Sequence, residues 1–199
     1  MSNTLKKKTR LKPEGYRAKN AIHKQFKNAK LSETCFREIF YSMQLINFTV
    51  LYMSEEDGGF DFAKQKLRNF NKNITRHNQE YDDGGLISTA VSMDHKKKLG
   101  FDCYIEAKNF PYRPKMNMWG GKPKTMQEHN IALTSINGAI ETYLILAVHT
   151  LRENYRFSKA DIWKWWEKFK EVSELYVDGM TDEFIIEYIK DECGLVINK

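Results

Sequence analysis

Apolar side chains recur three and four positions apart over most of the chain, and the places where that rhythm stops divide it into segments. Phe36, Ile39, Phe40, Met43, Ile46 and Val50 keep a helical spacing. This predicts a long amphipathic helix from an N-cap at Ser32 to about Glu55. Gly58-Gly59 ends it, and Asp61 reads as the cap of a second helix carrying Leu67, Phe70 and Ile74 to about Glu80. After the turn Asp82-Asp83-Gly84-Gly85, a shorter helix is expected from Leu86 to about Lys98. The rhythm is lost over 100–124, where Pro111, Pro114, Pro123 and Gly120-Gly121 gather. There Asp102–Glu106 reads as a short strand and the rest as ordered loop. Thr125 and Glu128 then make a capping box, with Leu133, Ile136, Ile140, Tyr143, Ala147 and Leu151 along one face. Ser158 and Asp161 open a helix bearing Ile162, Trp165, Phe169, Val172 and Tyr176. Gly179 breaks it, and Thr181 starts a last helix that Gly194 terminates. Residues 1–30 hold few large apolar groups, which predicts an arm that is mobile to about Tyr16, with a short helix around 17–29.

A shift of 95 residues lays one half on the other. Phe62 falls on Phe157, Lys64 on Lys159, Tyr81 on Tyr176, Asp83 on Asp178 and Gly84 on Gly179, while Phe60 meets Tyr155 and Phe70 meets Trp165. The expected fold class is therefore all-α: two pseudo-repeated three-helix units, about 31–101 and 125–199, sharing one core. A basic arm (1–30) precedes this single domain (31–199), and a Pro- and Gly-containing loop (102–124) links its halves.

The segment Leu151–Ile197 carries a resemblance. A helix ending Leu-Arg-Glu-Asn runs into Tyr155-Arg156-Phe157-Ser158-Lys159, then an amphipathic helix, Tyr176-Val177-Asp178-Gly179, an acidic helix and Glu192-Cys193-Gly194-Leu195. This resembles a short C-terminal unit of small uncharacterised helical proteins from phages and mobile elements of Gram-positive bacteria. Those have Gly after the Phe of the turn; here Ser158 stands in its place. The resemblance spans about 47 residues, with a weaker echo at 46–101. It implies a phage accessory protein and brings no activity and no catalytic residues.

Charge changes the picture more than composition does. The 199 residues carry a net +6, but the sign alternates in blocks. Residues 1–30 hold ten Lys or Arg against one Glu; residues 31–94 hold six against ten acidic groups. Residues 95–124 hold eight against two, and residues 125–199 eight against thirteen. Such blocks point to an anionic partner, nucleic acid first. The candidate phosphate-binding residues are Lys6, Lys7, Lys8, Arg10, Lys12, Arg17 and Lys19 in the arm, Lys96, Lys97 and Lys98, and Arg113, Lys115, Lys122 and Lys124 in the loop. Tyr112 and Trp119, interleaved with those cations, are candidates for stacking on unpaired bases. On the 159–176 helix Trp163 falls outside the apolar stripe, which marks it as a candidate contact with a partner or a second copy of the chain.

Catalytic chemistry finds little support. Three distant cysteines (Cys35, Cys103, Cys193) exclude a disulfide framework and a thiolate zinc site, and they suit a reducing bacterial cytoplasm. Asp94 or Asp102 with Glu106 and Lys108 has the residue types of a Mg²⁺-dependent nuclease, but that core needs a central sheet. His77 and Glu80, three apart on a helix, read as an exposed polar pair, and the other histidines lack ligand spacing. No phosphate-cradling glycine loop or nucleophile elbow occurs. No uninterrupted apolar run approaches the ~20 residues of a membrane span, and the basic start lacks the apolar stretch of a secretion signal. The expectation is a non-catalytic, cofactor-free protein whose partner is nucleic acid or a host nucleoprotein or defence protein. An inhibitor of a bacterial defence system, working through its acidic helices, is the alternative, and a nuclease is a third reading.

Overall fold

Among the described residues, 14–82, 88–112 and 123–193, the computed structural model has seven helices and no strand. They are α1 (Glu14–Tyr52), α2 (Lys64–Asp82), α3 (Ser88–Leu99), α4 (Cys103–Asn109), α5 (Met126–Tyr155), α6 (Lys159–Val177) and α7 (Asp182–Cys193). The expected all-α class holds.

The frame is the pair α1–α5. Lys27 meets Glu128 at 2.5 Å, Ser32 Oγ lies 2.7 Å from Ser135 Oγ, and the rings of Phe40 and Tyr143 stand edge-on with centres 5.2 Å apart. These contacts advance together along both helices, so the two run parallel. α5 is buried on most sides, as expected of a helix whose apolar residues are not confined to one stripe. It is long and apolar enough to cross a membrane (mean hydropathy 1.6 over 18 residues), which the sequence reading did not anticipate, yet 61% of that window is buried inside the fold. α6 and α7 pack on α1, whereas α2, α3 and α4 pack on α5. Each long helix is thus covered mainly by the helices that follow the other one.

Helix lengths and spacings repeat. α2 and α6 have 19 residues each and begin 95 positions apart; α3 and α7 have 12 each and begin 94 apart. α1 and α5 end 103 positions apart, and Ser32–Ser135 and Phe40–Tyr143 share that spacing. The change from 103 to 95 falls in the connections: eleven residues join α1 to α2, three join α5 to α6. In the longer connection the Phe62 and Asp61 amides donate to the Leu51 and Met53 carbonyls, and the chain doubles back so tightly that a Cβ on Gly59 would sit 2.2 Å from the Met53 oxygen. The two aromatic turns interleave, Phe60 against Phe157 (4.9 Å) and Phe62 against Tyr155 (5.0 Å).

Several local expectations are corrected. α1 is one helix through Ser32; the hydroxyl that resembled an N-cap points sideways to Ser135. Asp61 does not cap α2 but sits three residues before it with φ +55°. The expected strand 102–106 is the start of α4, where Asp102 accepts from the Ile105 amide as its N-cap. The segment offered as a strand for a nuclease core is therefore helical, and the described residues contain no strand. Glu106 instead accepts a 2.6 Å hydrogen bond from the Trp166 indole. At α5 only half of the expected capping box forms, because the Glu128 carboxylate accepts from the Lys124 amide, and Gly194 lies outside the described residues; the other caps agree with the sequence. The Ser158–Asp161 capping box has both of its bonds, the Thr125 Oγ accepts from the Glu128 amide, and Gly179, at φ +113°, stops α6.

Three indoles of α6 fasten it to three different partners. Trp165 donates to Asn47 on α1 (2.7 Å), Trp166 to Glu106 on α4, and Trp163 to the Leu99 carbonyl at the end of α3 (3.1 Å). Trp163 is half-buried and packs on Phe101, so it secures the α3–α4 corner and is not the free interface residue the helical wheel suggested. Phe110 stacks on Trp166, and Tyr112, only 4% exposed, packs on Tyr176. Tyr112 therefore has no open face for a base, which corrects its assignment as a stacking residue.

Candidate nucleic-acid interface

Because α1 and α5 run parallel, both begin at the same end of the molecule, and each is entered from a basic segment. The junction is Glu128. Its own amide is capped by Thr125, and its carboxylate accepts from Lys27 Nζ on α1 and from the Lys124 amide at 2.7 Å. The Lys27 bond foremost, then the Lys124 amide, hold this carboxyl below the ordinary glutamate range. One nearly buried acid thus ties the basic N-terminal segment to the end of the basic loop. Thirteen residues of α1 precede Lys27, but only two of α5 precede Glu128. α1 therefore extends past α5 by eleven residues, roughly 16 Å of helix. Over 21–30 nearly every side chain is exposed, including Lys24 and Lys30, and Lys124 and His129 are exposed beside them. Flexible, hydrated ammonium groups of this kind contact phosphates as point charges without reading bases.

The sequence candidates divide accordingly. Lys124 lies at this end, and Arg17 and Lys19 fall in the first turns of α1. Lys6, Lys7, Lys8, Arg10, Lys12, Arg113, Lys115, Trp119 and Lys122 lie outside the described residues. Lys96, Lys97 and Lys98 do not join the basic end. They form the last turn of α3, where Lys98 pairs with Asp94 (2.9 Å), Asp94 with Arg152 (3.0 Å), and Lys96 with Asp102 (2.8 Å). Arg152 is 24 residues beyond Glu128 on α5, about 36 Å along the helix. Lys96 and Lys98 thus serve local structure, and Lys97 between them is exposed.

A second cluster escaped the sequence reading. His77 is buried, not exposed; its Nδ1 lies 2.9 Å from Glu80, its Nε2 3.2 Å from Asn154, and its ring meets His149 edge-on at 4.6 Å. His149 in turn lies 6.1 Å from His95, whose Nδ1 is 3.9 Å from the Cys103 thiol. Burial lowers His95 to about 4 and raises Cys103 to about 12, so both are neutral at pH 7, and the pair lacks the thiolate of a reactive cysteine. No three His, Cys, Asp or Glu side chains among the described residues converge to hold a metal ion. The signal was present in the chain: His77 continues the spacing Leu67, Phe70, Ile74, and His95 stands four before Leu99 on the same rhythm. No family model matches the chain, and no match is found among curated proteins or solved structures.

Proposed function

We propose that this chain is a non-catalytic nucleic-acid-binding protein, an accessory factor of a phage or mobile element, that grips a phosphate backbone with the end where α1 and α5 begin. One observation carries the reading: Glu128 gathers Lys27 and the Lys124 amide, so two basic segments separated by an acidic stretch enter the fold side by side. We also infer an internal duplication. Its support is the matched lengths of α2 with α6 and α3 with α7, the reciprocal crossing Phe60–Phe157 and Phe62–Tyr155, and the self-equivalent pairs Ser32–Ser135 and Phe40–Tyr143. Contacts of i with j′ and j with i′ are the mark of a two-fold relation. The basic end is then the place where the same feature of each half converges.

The test is salt dependence. Each phosphate neutralised on duplex DNA contributes a slope of about −0.9 in log K against log salt. If half of the seven cations between Lys6 and Lys19 engage, the slope is roughly −3. Removal of residues 1–19 is expected to flatten it and to weaken binding to all sequences alike. If full-length and truncated proteins bind identically, or neither binds at low salt, the reading fails and a protein-directed inhibitor of host defence takes its place, to be sought by pull-down from host lysate.

A further inference from the structure

The far end of α1 has a different character from its start. There the last turn of α1, with α6 and α7, encloses an apolar hollow of about 240 Å³ lined by Met53, Leu175, Met180, Phe184 and Tyr188. Phe184 is 58% exposed and Leu175 44%, large apolar groups left at the surface of a soluble-type fold. The two helices around it are acidic: residues 159–193 hold ten Asp or Glu against five Lys, with Glu171, Glu174 and Glu187 exposed. Glu171 is already paired with Lys168, which also lines the hollow (2.7 Å), but Glu174 and Glu187 leave the apolar groove with an acidic border that fits a basic amphipathic helix with bulky anchors one turn apart.

The chain carries such a helix. On the extended part of α1, Ile22 and Phe26 are 52% and 72% exposed, four positions apart on one side, with Lys30 exposed beside them, Lys24 exposed on the opposite side, and no acidic residue between 15 and 32. It cannot reach its own groove. Phe26 and Thr49, which also lines the hollow, belong to one helix and are 23 residues apart, about 35 Å. We propose that the basic first half of α1 docks in the α6–α7 groove of a second copy of this chain. Ile22 and Phe26 enter the hollow while Lys30, on the flank of the same face, meets the carboxylates. The contact joins two different surfaces, so it is heterologous, and it propagates head to tail unless the rotation closes a ring.

Sedimentation in the absence of nucleic acid tests this. The wild-type chain is expected to pass from monomer to a closed dimer of exchanged α1 halves, or to larger head-to-tail species, as its concentration rises, and to return towards monomer in high salt. Phe26→Glu and Phe184→Glu should each stay monomeric. Mixed together they should form a dimer and stop, because one supplies an intact groove and the other an intact helix, while the two new carboxylates repel at the remaining surfaces. Leu175→Glu should behave as Phe184→Glu does. All three positions are exposed, and unchanged helical circular dichroism verifies folding. A wild type that stays monomeric throughout, or a mixture that remains monomeric, overturns the proposal. The nucleic-acid reading stands or falls separately, on the salt slope of Phe184→Glu, whose basic end is untouched.

Discussion

His95 illustrates how burial turns an ordinary side chain into a pH-dependent liability. Its surroundings comprise Arg152 and His149 from α5, Asp94 and Lys98 from its own helix, and the Cys103 thiol from α4. Loss of water is the main reason its imidazole titrates at about 4, with repulsion from Arg152 and His149 adding to it. In the unfolded chain it titrates near 6.5. Its folded value is depressed, so the stability it permits is complete above pH 6.5 and is lost as pH falls towards 4, an effect on the order of 3 kcal/mol. His149 is shifted in the same direction and adds to the loss in the same window. Chemical denaturation at about pH 7 and about pH 4.5 should reveal this difference. His95→Leu should remove most of it, since no imidazole is left to protonate; the change releases only the weak contact of Nδ1 with the Cys103 thiol, because Nε2 has no hydrogen-bond partner among the described residues. Trp163→Ala is expected to cost about 2–3 kcal/mol in thermal or chemical melts, because it empties the contact with Phe101 and frees the Leu99 carbonyl. Both residues mark where sequence reading stopped short. Histidine and a polar-face indole are counted as surface by type, yet each is placed inside by neighbours some 50 or more positions away.

At the scale of elements, caps made by adjacent residues were legible and choices made by distant contacts were not. Ser158 with Asp161, Thr125 and Gly179 all act within a few residues of themselves, and the chain states them openly. Ser32 looked the same, but its hydroxyl is claimed by Ser135 across the α1–α5 seam. The two possibilities separate under Glu33→Pro at an exposed position. Proline is tolerated at the first residue of a capped helix; inside a continuous helix it removes a hydrogen bond and costs about 3 kcal/mol. The larger loss is expected, together with reduced helicity. The strand expected at 102–106 failed for a related reason: Cys103, Tyr104 and Ile105 favour strands by composition, but among the described residues there is no strand to pair with, and Asp102 caps a helix instead. Gly59 gives a third test. Gly59→Ala drives a methyl into the Met53 carbonyl, and a destabilisation of roughly 1–3 kcal/mol is expected in denaturant titrations.

For the molecule as a whole, the order of helices and the alternation of charge blocks were readable, whereas the way the helices cross was not. Nothing in the sequence announced that α2 and α3 lean on α5, or that α6 and α7 lean on α1. Periodicity tells which face of a helix is apolar but not which distant helix will cover it. That crossing has a consequence for how the protein is made. While the first half emerges from the ribosome, α1 has neither α5 nor α6 to lie against, and α2 and α3 lack their main support. The early chain has no core to close, so stable structure must wait until α5 has been synthesised. Cutting the chain between 112 and 123 should therefore give two pieces that are each poorly helical alone and that regain the native circular dichroism when mixed. A first piece that folds cooperatively by itself would show that the halves are independent. Until its second half arrives, the nascent chain presents apolar faces to the cell, and that interval is when it is most prone to aggregate.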